Sequence, residues 1–160
     1  METVDYASIA TRLESLMAST LPLTAFSNAS SLIFHELNNV SWVGFYFYDN
    51  RSDKLILGPF QGKPACVEIE RGKGVCGRSL DTGSTVVVPD VLKFPGHIAC
   101  DADSRSEIVI PVKVYGQVYA LLDIDSKLTG RFTAEDSAGL EKVVRVIEKY
   151  SEDYIPFDFL

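Results

Sequence analysis

One cysteine of this chain lies in a segment that predicts a loop rather than a core element. Residues 93–107 contain the breakers Pro95 and Gly96, and the polar run after Cys100 has neither the helical nor the strand period. A cysteine that acts only as a small hydrophobe normally lies in an apolar segment. Because loops often carry functional residues, Cys100 is a candidate reactive thiol, with a purely structural thiol as the alternative.

Two further cysteines make thiol chemistry the first hypothesis. Cys66 follows a turn-rich segment with several glycines and prolines, and Cys76 lies in a short apolar helical pattern. Three is an odd count, and thiols that pair in a reducing compartment usually do so transiently, during catalysis or sensing. A metal site built from these cysteines and His97 is an alternative, but the chain has no Cys-x-x-Cys pair to favour it.

Two strand segments carry side chains that could line a pocket. Asp123 and Asp125 share one face at the end of a predicted strand, so two carboxylates emerge together there. Trp42, Gly44 and Tyr46 share one face of an earlier aromatic-rich strand, which would leave a hollow between two rings above the glycine. We expect the two faces of that strand to differ in burial. Ordinary core aromatics are the alternative interpretation of the pair.

Length and charge exclude several classes of protein. The 160 residues suffice for one domain without disulfide staples, and we predict that residues 1–160 form it. The formal net charge of -7 and the lack of a basic stripe argue against nucleic acid as a partner. No apolar run reaches the roughly 20 residues of a membrane span, and no signal peptide is evident, so we expect a cytoplasmic protein without membrane contact. The sequence leaves the oligomeric state open, with a homodimer as one alternative.

Periodicity predicts an α+β fold. Two amphipathic helices come first, a helix capped at Thr133 comes last, and a short helix ended by Gly83 lies between them. We expect a central antiparallel sheet with the N- and C-terminal helices on one face and the cysteine loops over the other. The helices are predicted over about residues 3–18, 22–37 and 75–80 and from 133 onwards, and the strands over 40–48, 54–57, 67–69, 84–88, 108–114 and 117–125, with 58–65 as turns.

Several short motifs closely resemble those of one enzyme family. They are WVGFY at 42–46, LGPFQGKPAC at 57–66, GKGVCG at 72–77, GHIACD at 96–101, SEIVIP at 106–111, and LDIDS at 122–126 followed by RF at 131–132. In this order they resemble the free methionine-(R)-sulfoxide reductases, which have the GAF-domain fold. The similarity covers nearly the whole chain.

The resemblance implies an activity and the residues that carry it. Such a protein would reduce the R epimer of free methionine sulfoxide without a bound cofactor or metal, and thioredoxin would supply the electrons. Matched by motif, Cys100 would attack the substrate, Cys66 would resolve the oxidised cysteine as a disulfide, and Cys76 would be a third, secondary cysteine. The substrate cavity would be formed by Trp42, Tyr46, Glu107, Asp123 and Asp125.

These residue types suit sulfoxide reduction. A thiolate attacks the sulfoxide sulfur, and the oxygen leaves well only when an acid protonates it. Grouped carboxylates raise one another's pKa, so Glu107, Asp123 or Asp125 would hold a proton near neutral pH, and the sequence leaves open which one. Trp42 and Tyr46 would hold the S-methyl group, while the acidic cavity would pair with the ammonium of a free amino acid. A non-catalytic GAF domain that senses a small ligand is the alternative function.

Overall fold

An antiparallel sheet of six strands organises the chain. The structure is a computed structural model that describes residues 3–18, 20–98 and 100–154, and the statements on the fold concern these residues. In chain order the strands are β1 (Trp42–Asp49), β2 (Lys54–Gln61), β3 (Glu68–Glu70), β4 (Val86–Val88), β5 (Ser106–Val114) and β6 (Gln117–Ser126). Their order across the sheet is β3-β2-β1-β6-β5-β4. The strands that carry the predicted aromatic and acidic residues are therefore neighbours.

Three helices cover one face of this sheet, as the sequence predicts. They are α1 (Tyr6–Met17), α2 (Pro22–Glu36) and α4 (Ala134–Ser151). Helix α2 has Pro22 in its first turn, and α4 begins with a capping box in which Thr133 and Asp136 satisfy each other's backbone N–H groups. A short helix, α3 (Gly74–Thr82), packs on the opposite face of the sheet. Gly83 ends it in the left-handed conformation, with φ of 64°.

Strand β1 separates two apolar cores. Val43, Phe45 and Phe47 point into the core beneath the three long helices, whereas Trp42 and Tyr46 point into the core beneath α3. The predicted alternation along β1 is thus confirmed. The expected difference in burial between its two faces is wrong, since residues 42–47 are all buried. The reason is that helices cover one face, while α3 and the cysteine-bearing loops cover the other.

Strand β2 is longer than predicted because it contains a β-bulge. Gly44 is paired with Phe60 and Tyr46 with Leu57, so the two residues Gly58 and Pro59 lie opposite one residue of β1. A proline is tolerated at a bulge because no ladder hydrogen bond is required of it there. The turn-like composition of residues 58–61 therefore describes an irregular strand, and only the following residues form the loop that leads to Cys66.

The predicted fold class is confirmed: α+β, with the terminal helices on one face of an antiparallel sheet and loops over the other. The prediction that all of residues 1–160 form a single domain stays a prediction, and it includes residues outside the described ranges. Over the described ranges, no helix combines the length and hydropathy that a membrane span needs.

Candidate active site

A disulfide joins the two loops that the sequence analysis singled out. Cys66 lies just before β3, Cys100 lies in the loop that leads to β5, and their Cα atoms are 5.4 Å apart across 34 residues of sequence. Both cysteines are partly exposed, whereas the third, Cys76, is buried and is not in a disulfide. Cys66 and Cys100 can therefore form a bond and still be reached by an external reductant.

A cavity of about 40 Å³ lies beneath this disulfide. Cys66 is not part of its lining, although the preceding Pro64 and Ala65 are. The predicted residues that line it are Trp42, Tyr46, Cys76, Cys100, Glu107, Asp123 and Asp125. All the site residues named from the sequence thus meet at one place, with Cys66 bonded at its edge.

Strand register brings the acidic residues together. Asp125 is paired with Trp42 of β1 on one side and with Glu107 of β5 on the other, and Asp123 is paired with Gly44. Because side chains alternate along β6, Asp123 and Asp125 face the cavity while Leu122 and Ile124 enter the opposite core. Three carboxyl groups from two neighbouring strands consequently share one cavity.

Burial makes this acidic group hold protons. Desolvation, followed by the nearby charges of Asp123 and Asp125, raises the pKa of Glu107 well above its ordinary range. Desolvation also raises the pKa of Asp123, but hydrogen bonds from Glu107 and Cys76 partly offset that effect. Among the described residues, Asp123 Oδ1 is buried and finds no partner unless a neighbouring carboxyl is protonated. Burial and the neighbouring charges therefore favour a protonated Glu107 over a protonated Asp123.

The aromatic residues close the cavity and hold the Cys66 loop. Tyr46 donates its hydroxyl to the Cys66 carbonyl at 2.9 Å, and Trp42 Nε1 donates to the Lys63 carbonyl at 3.0 Å. Burial, followed by the charge of Asp123, raises the pKa of Tyr46, so its phenol stays a donor. The Trp42 ring stacks on Tyr46 at 6.0 Å between centroids.

The hollow predicted above Gly44 is wrong in position. A Cβ at residue 44 would lie 2.4 Å from the Trp42 ring and 2.4 Å from Phe60, so these side chains fill that space. Trp42 also stacks on Phe60, with ring centroids 5.3 Å apart. The cavity opens instead where the rings meet the acidic residues of β5 and β6. Gly44 is needed because the two aromatic side chains cross over it.

Several cavity residues were not found from the sequence. The first residues of α3, beginning at its N-cap Lys73, line the cavity, and in the described part of the chain no side chain caps this helix. The positive end of its dipole therefore faces the acidic group and reduces its electrostatic cost. Ser104, Asp101 and Ile98 line the cavity as well. The motif GKGVCG at 72–77 begins with two glycines that are typical of a turn, but only the packing reveals where the helix points.

The donor groups do not resemble a standard metal site. Two of the four residues considered from the sequence, Cys66 and Cys100, are bonded to each other. Within the described ranges, a different trio lies close together: potential ligand atoms of Cys76, Glu107 and Asp123 are within 4.8 Å of one another. Burial raises the pKa of the Cys76 thiol, which donates a hydrogen bond to Asp123. Their geometry fits a hydrogen-bonded acid group.

Comparison with known proteins agrees with fold and site. The family model described as "GAF domain" matches residues 8–149. The chain is 45% identical to the free methionine-R-sulfoxide reductase of Escherichia coli, across 95% of this chain and 93% of that protein. The solved free methionine-R-sulfoxide reductase of Neisseria meningitidis, in complex with its substrate, superposes with a TM-score of 0.89, with 38% identity, and covers 95% of this chain and 93% of its own. The substrate complex of fRMsr from Staphylococcus aureus has a TM-score of 0.87 and 42% identity, with coverage of 94% and 97%.

Fold and similarity together define a GAF-domain oxidoreductase that acts on a sulfur group. The similarity to the bacterial enzymes extends over nearly the whole of each chain, and it includes the segments that form the cavity. The chain belongs to the GAF family and, within it, to the free methionine-R-sulfoxide reductases.

Proposed function

We propose that this protein reduces the R-sulfoxide of free methionine to methionine, with Cys100 as the attacking thiol and Cys66 as the resolving thiol. The observation that carries the proposal is that a Cys66–Cys100 disulfide lies over a cavity whose lining includes the buried carboxyl groups of β5 and β6 and the rings of Trp42 and Tyr46. A non-catalytic ligand sensor, the alternative from the sequence, gives no reason for two cysteines 34 residues apart to meet at the cavity.

The chemistry proceeds in two steps at Cys100. Its thiolate attacks the sulfoxide sulfur and forms an S–S bond, and the protonated oxygen leaves that sulfur. The oxygen is then transferred to Cys100 Sγ as the S–S bond breaks, so that methionine is released and Cys100 is left as a sulfenic acid. The thiol of Cys66 then displaces hydroxide from that sulfenic acid, and a disulfide and water are formed. Methionine sulfoxide is reduced by two electrons and the two cysteines are oxidised by two. A dithiol reductant finally returns both cysteines to thiols.

Glu107 is the proposed acid of the first step. The raised pKa of its carboxyl keeps it protonated near neutral pH, and it lines the same cavity as Cys100. The proton moves to the sulfoxide oxygen as that oxygen leaves sulfur. The charge left on Glu107 is tolerated because the uncapped N-terminus of α3 faces the cavity.

The remaining cavity residues select the substrate. Trp42 and Tyr46 hold the S-methyl group, since sulfur and aromatic rings attract by about 0.3–1.5 kcal/mol. Asp123 presents negative charge to the ammonium of a free amino acid, a group that a methionine residue within a protein does not have. Asp125 offers carboxyl oxygens beside it, although burial, followed by the charge of Asp123, raises the pKa of Asp125 well above its ordinary range. Selection of the free molecule therefore follows from charge.

The oxidised form corresponds to the end of the cycle. In this form the proposed attacking thiol is bonded to Cys66 and cannot react with a sulfoxide. Substrate must therefore enter after the disulfide is reduced and the segments that carry Cys66 and Cys100 separate.

We propose thioredoxin as the external reductant, a cytoplasmic location, and no bound cofactor or metal. Nucleic acid is not a proposed partner, and a homodimer remains open.

Separated sulfoxide epimers test this proposal. Fully reduced protein is mixed with the R or the S epimer without reductant, and released methionine, free thiols and protein mass are followed. We expect the R epimer alone to yield methionine and to remove the Cys66 and Cys100 thiols. Reduction of both epimers at similar rates, or of neither epimer, would contradict the proposal.

Single cysteine variants assign the roles. Cys100→Ser should release no methionine, because the nucleophile is absent. Cys66→Ser should release about one equivalent and then stall in a thioredoxin-coupled assay. Cys76→Ser serves as the matched control, since it changes a cysteine outside the disulfide. Near-normal turnover by Cys100→Ser would remove Cys100 as the nucleophile, and full recycling by Cys66→Ser would move the resolving role elsewhere.

A further inference from the structure

The buried thiol of Cys76 makes a specific contact that the two-step reaction does not use. Its Sγ donates a hydrogen bond to Asp123 Oδ2 at 3.3 Å, and both residues are at most 5% exposed. They lie 47 residues apart in sequence, on α3 and β6. An apolar residue of the same size would fill this position equally well if packing were its only task. The contact therefore points to a role for the thiol proton.

Asp123 is held between two donors. Cys76 donates to Oδ2, and the second oxygen, Oδ1, is buried and lacks a hydrogen-bond partner among the described residues unless a neighbouring carboxyl carries a proton. Glu107 is the neighbour that can supply this proton, since the ligand atoms of Glu107, Asp123 and Cys76 lie within 4.8 Å of one another. Tyr46 and Asp125 also face this group from β1 and β6. When Glu107 holds a proton, hydrogen bonds run from Cys76 to Asp123 and from Glu107 to Asp123.

We propose that Cys76 is a positioning residue of the acid: its S–H bond orients Asp123 and stabilises that carboxylate, so that the shared proton stays on Glu107. This inference rests on the proposed function, in which Glu107 protonates the departing oxygen. Without the Cys76 donor, Asp123 would compete better for the proton and its carboxylate would be free to rotate. A smaller fraction of the enzyme would then hold the proton where the reaction needs it.

The surroundings of Cys76 argue against a role as a second resolving cysteine. Burial, followed by the charge of Asp123, raises the pKa of the thiol, and a thiol without thiolate character attacks a sulfenic acid slowly. Helix α3 also packs closely against the turn that precedes it. A Cβ at Gly77 would lie 2.7 Å from the Glu70 carbonyl, so the helix contacts the preceding turn without room for a side chain. This close packing restricts movement of α3 and of Cys76 with it.

Two substitutions at Cys76 distinguish the effect of losing the hydrogen-bond donor from the effect of losing side-chain volume. Cys76→Ala removes the hydrogen bond, whereas Cys76→Ser keeps a donor at the same place. Reduced protein and the R epimer are mixed in single-turnover experiments, and methionine release is measured against substrate concentration. We expect the maximal rate of Cys76→Ala to fall about three- to tenfold, the loss typical of one ordinary hydrogen bond, because a thiol is a weak donor. Its half-saturating substrate concentration should change little, and Cys76→Ser should recover most of the rate.

The possible outcomes distinguish the proposed function from the positioning role of Cys76. If the wild type releases no methionine, the proposed function fails and this inference with it. If the wild type is active and Cys76→Ala is equally fast, the positioning role is wrong. Equal losses in Cys76→Ala and Cys76→Ser would assign the effect to packing, and incomplete formation of the Cys66–Cys100 disulfide in Cys76→Ala would assign Cys76 to resolution. Either result overturns the inference.

A spectroscopic measurement keeps the test independent of how Cys76→Ala folds. In protein with both Cys66→Ser and Cys100→Ser, Cys76 is the sole thiol. Its S–H stretching band in the infrared should move to higher frequency when Asp123→Asn is added, because an amide oxygen accepts a weaker hydrogen bond than a carboxylate. A band that does not move would contradict the contact on which the proposal depends.

Discussion

The oxidised and reduced forms of this protein should differ strongly in thermal stability. The disulfide closes a loop across 34 residues of sequence. In the chain-entropy model, a loop of this length removes about 13 cal/mol/K from the unfolded ensemble, or about 4 kcal/mol at 25 °C. For a domain of this size, each kcal/mol moves Tm by about 2–4 °C, so oxidation should raise Tm by about 8–16 °C. A rise in Tm after reaction with substrate therefore indicates that the disulfide has formed.

Melting curves can test this after a single turnover. Reduced wild type is incubated with the R epimer, the excess substrate and product are removed, and unfolding is followed by circular dichroism. The expected rise in Tm should disappear when dithiothreitol is added. The matched control is Cys66→Ser, which should release methionine but cannot form the Cys66–Cys100 bond and so should show no such rise.

Two results would refute this reasoning. An equal rise in wild type and Cys66→Ser would assign the effect to bound ligand or to another modification, since anything that binds only the folded state raises Tm. Release of methionine by the wild type with loss of two thiols but no change in Tm would mean that the disulfide does not constrain the unfolded chain as calculated.

Two further predictions concern the acidic group and the Cys66 loop. Folding raises the pKa of Glu107 above its ordinary value of 4.5, so the folded state binds a proton that the unfolded state releases. Stability should therefore fall as pH rises from about 4.5 towards the raised pKa, by up to about 1.4 kcal/mol per pH unit for one proton. Urea unfolding between pH 5 and 8 should show this slope in wild type and a shallower one in Glu107→Gln; identical slopes would contradict the assignment. Tyr46→Phe removes the hydrogen bond to the Cys66 carbonyl, which is worth about 1 kcal/mol. Rapid thiol quenching should show disulfide formation slowed more than methionine release, and equal slowing of both steps would show that the hydroxyl does not position Cys66.

Local pattern predicted the parts of the fold that depend on near neighbours. The alternation along residues 42–47 assigns Trp42 and Tyr46 to one face and Phe45 to the other, because successive side chains of a strand point to opposite sides. The same rule placed Asp123 and Asp125 together. It could not recognise the bulge at Gly58 and Pro59, because a bulge is defined by pairing with a partner strand.

The sequence by itself determined which chemical groups are present and which strand face each one occupies, since these follow from residue type and a two-residue repeat. Only the tertiary structure decided that Cys66 meets Cys100, that the start of α3 points at the acidic residues, and that the Cys76 thiol bonds to Asp123. These contacts join residues tens of positions apart. They depend on sheet order and on how α3 packs against the sheet, which no periodicity in the chain encodes.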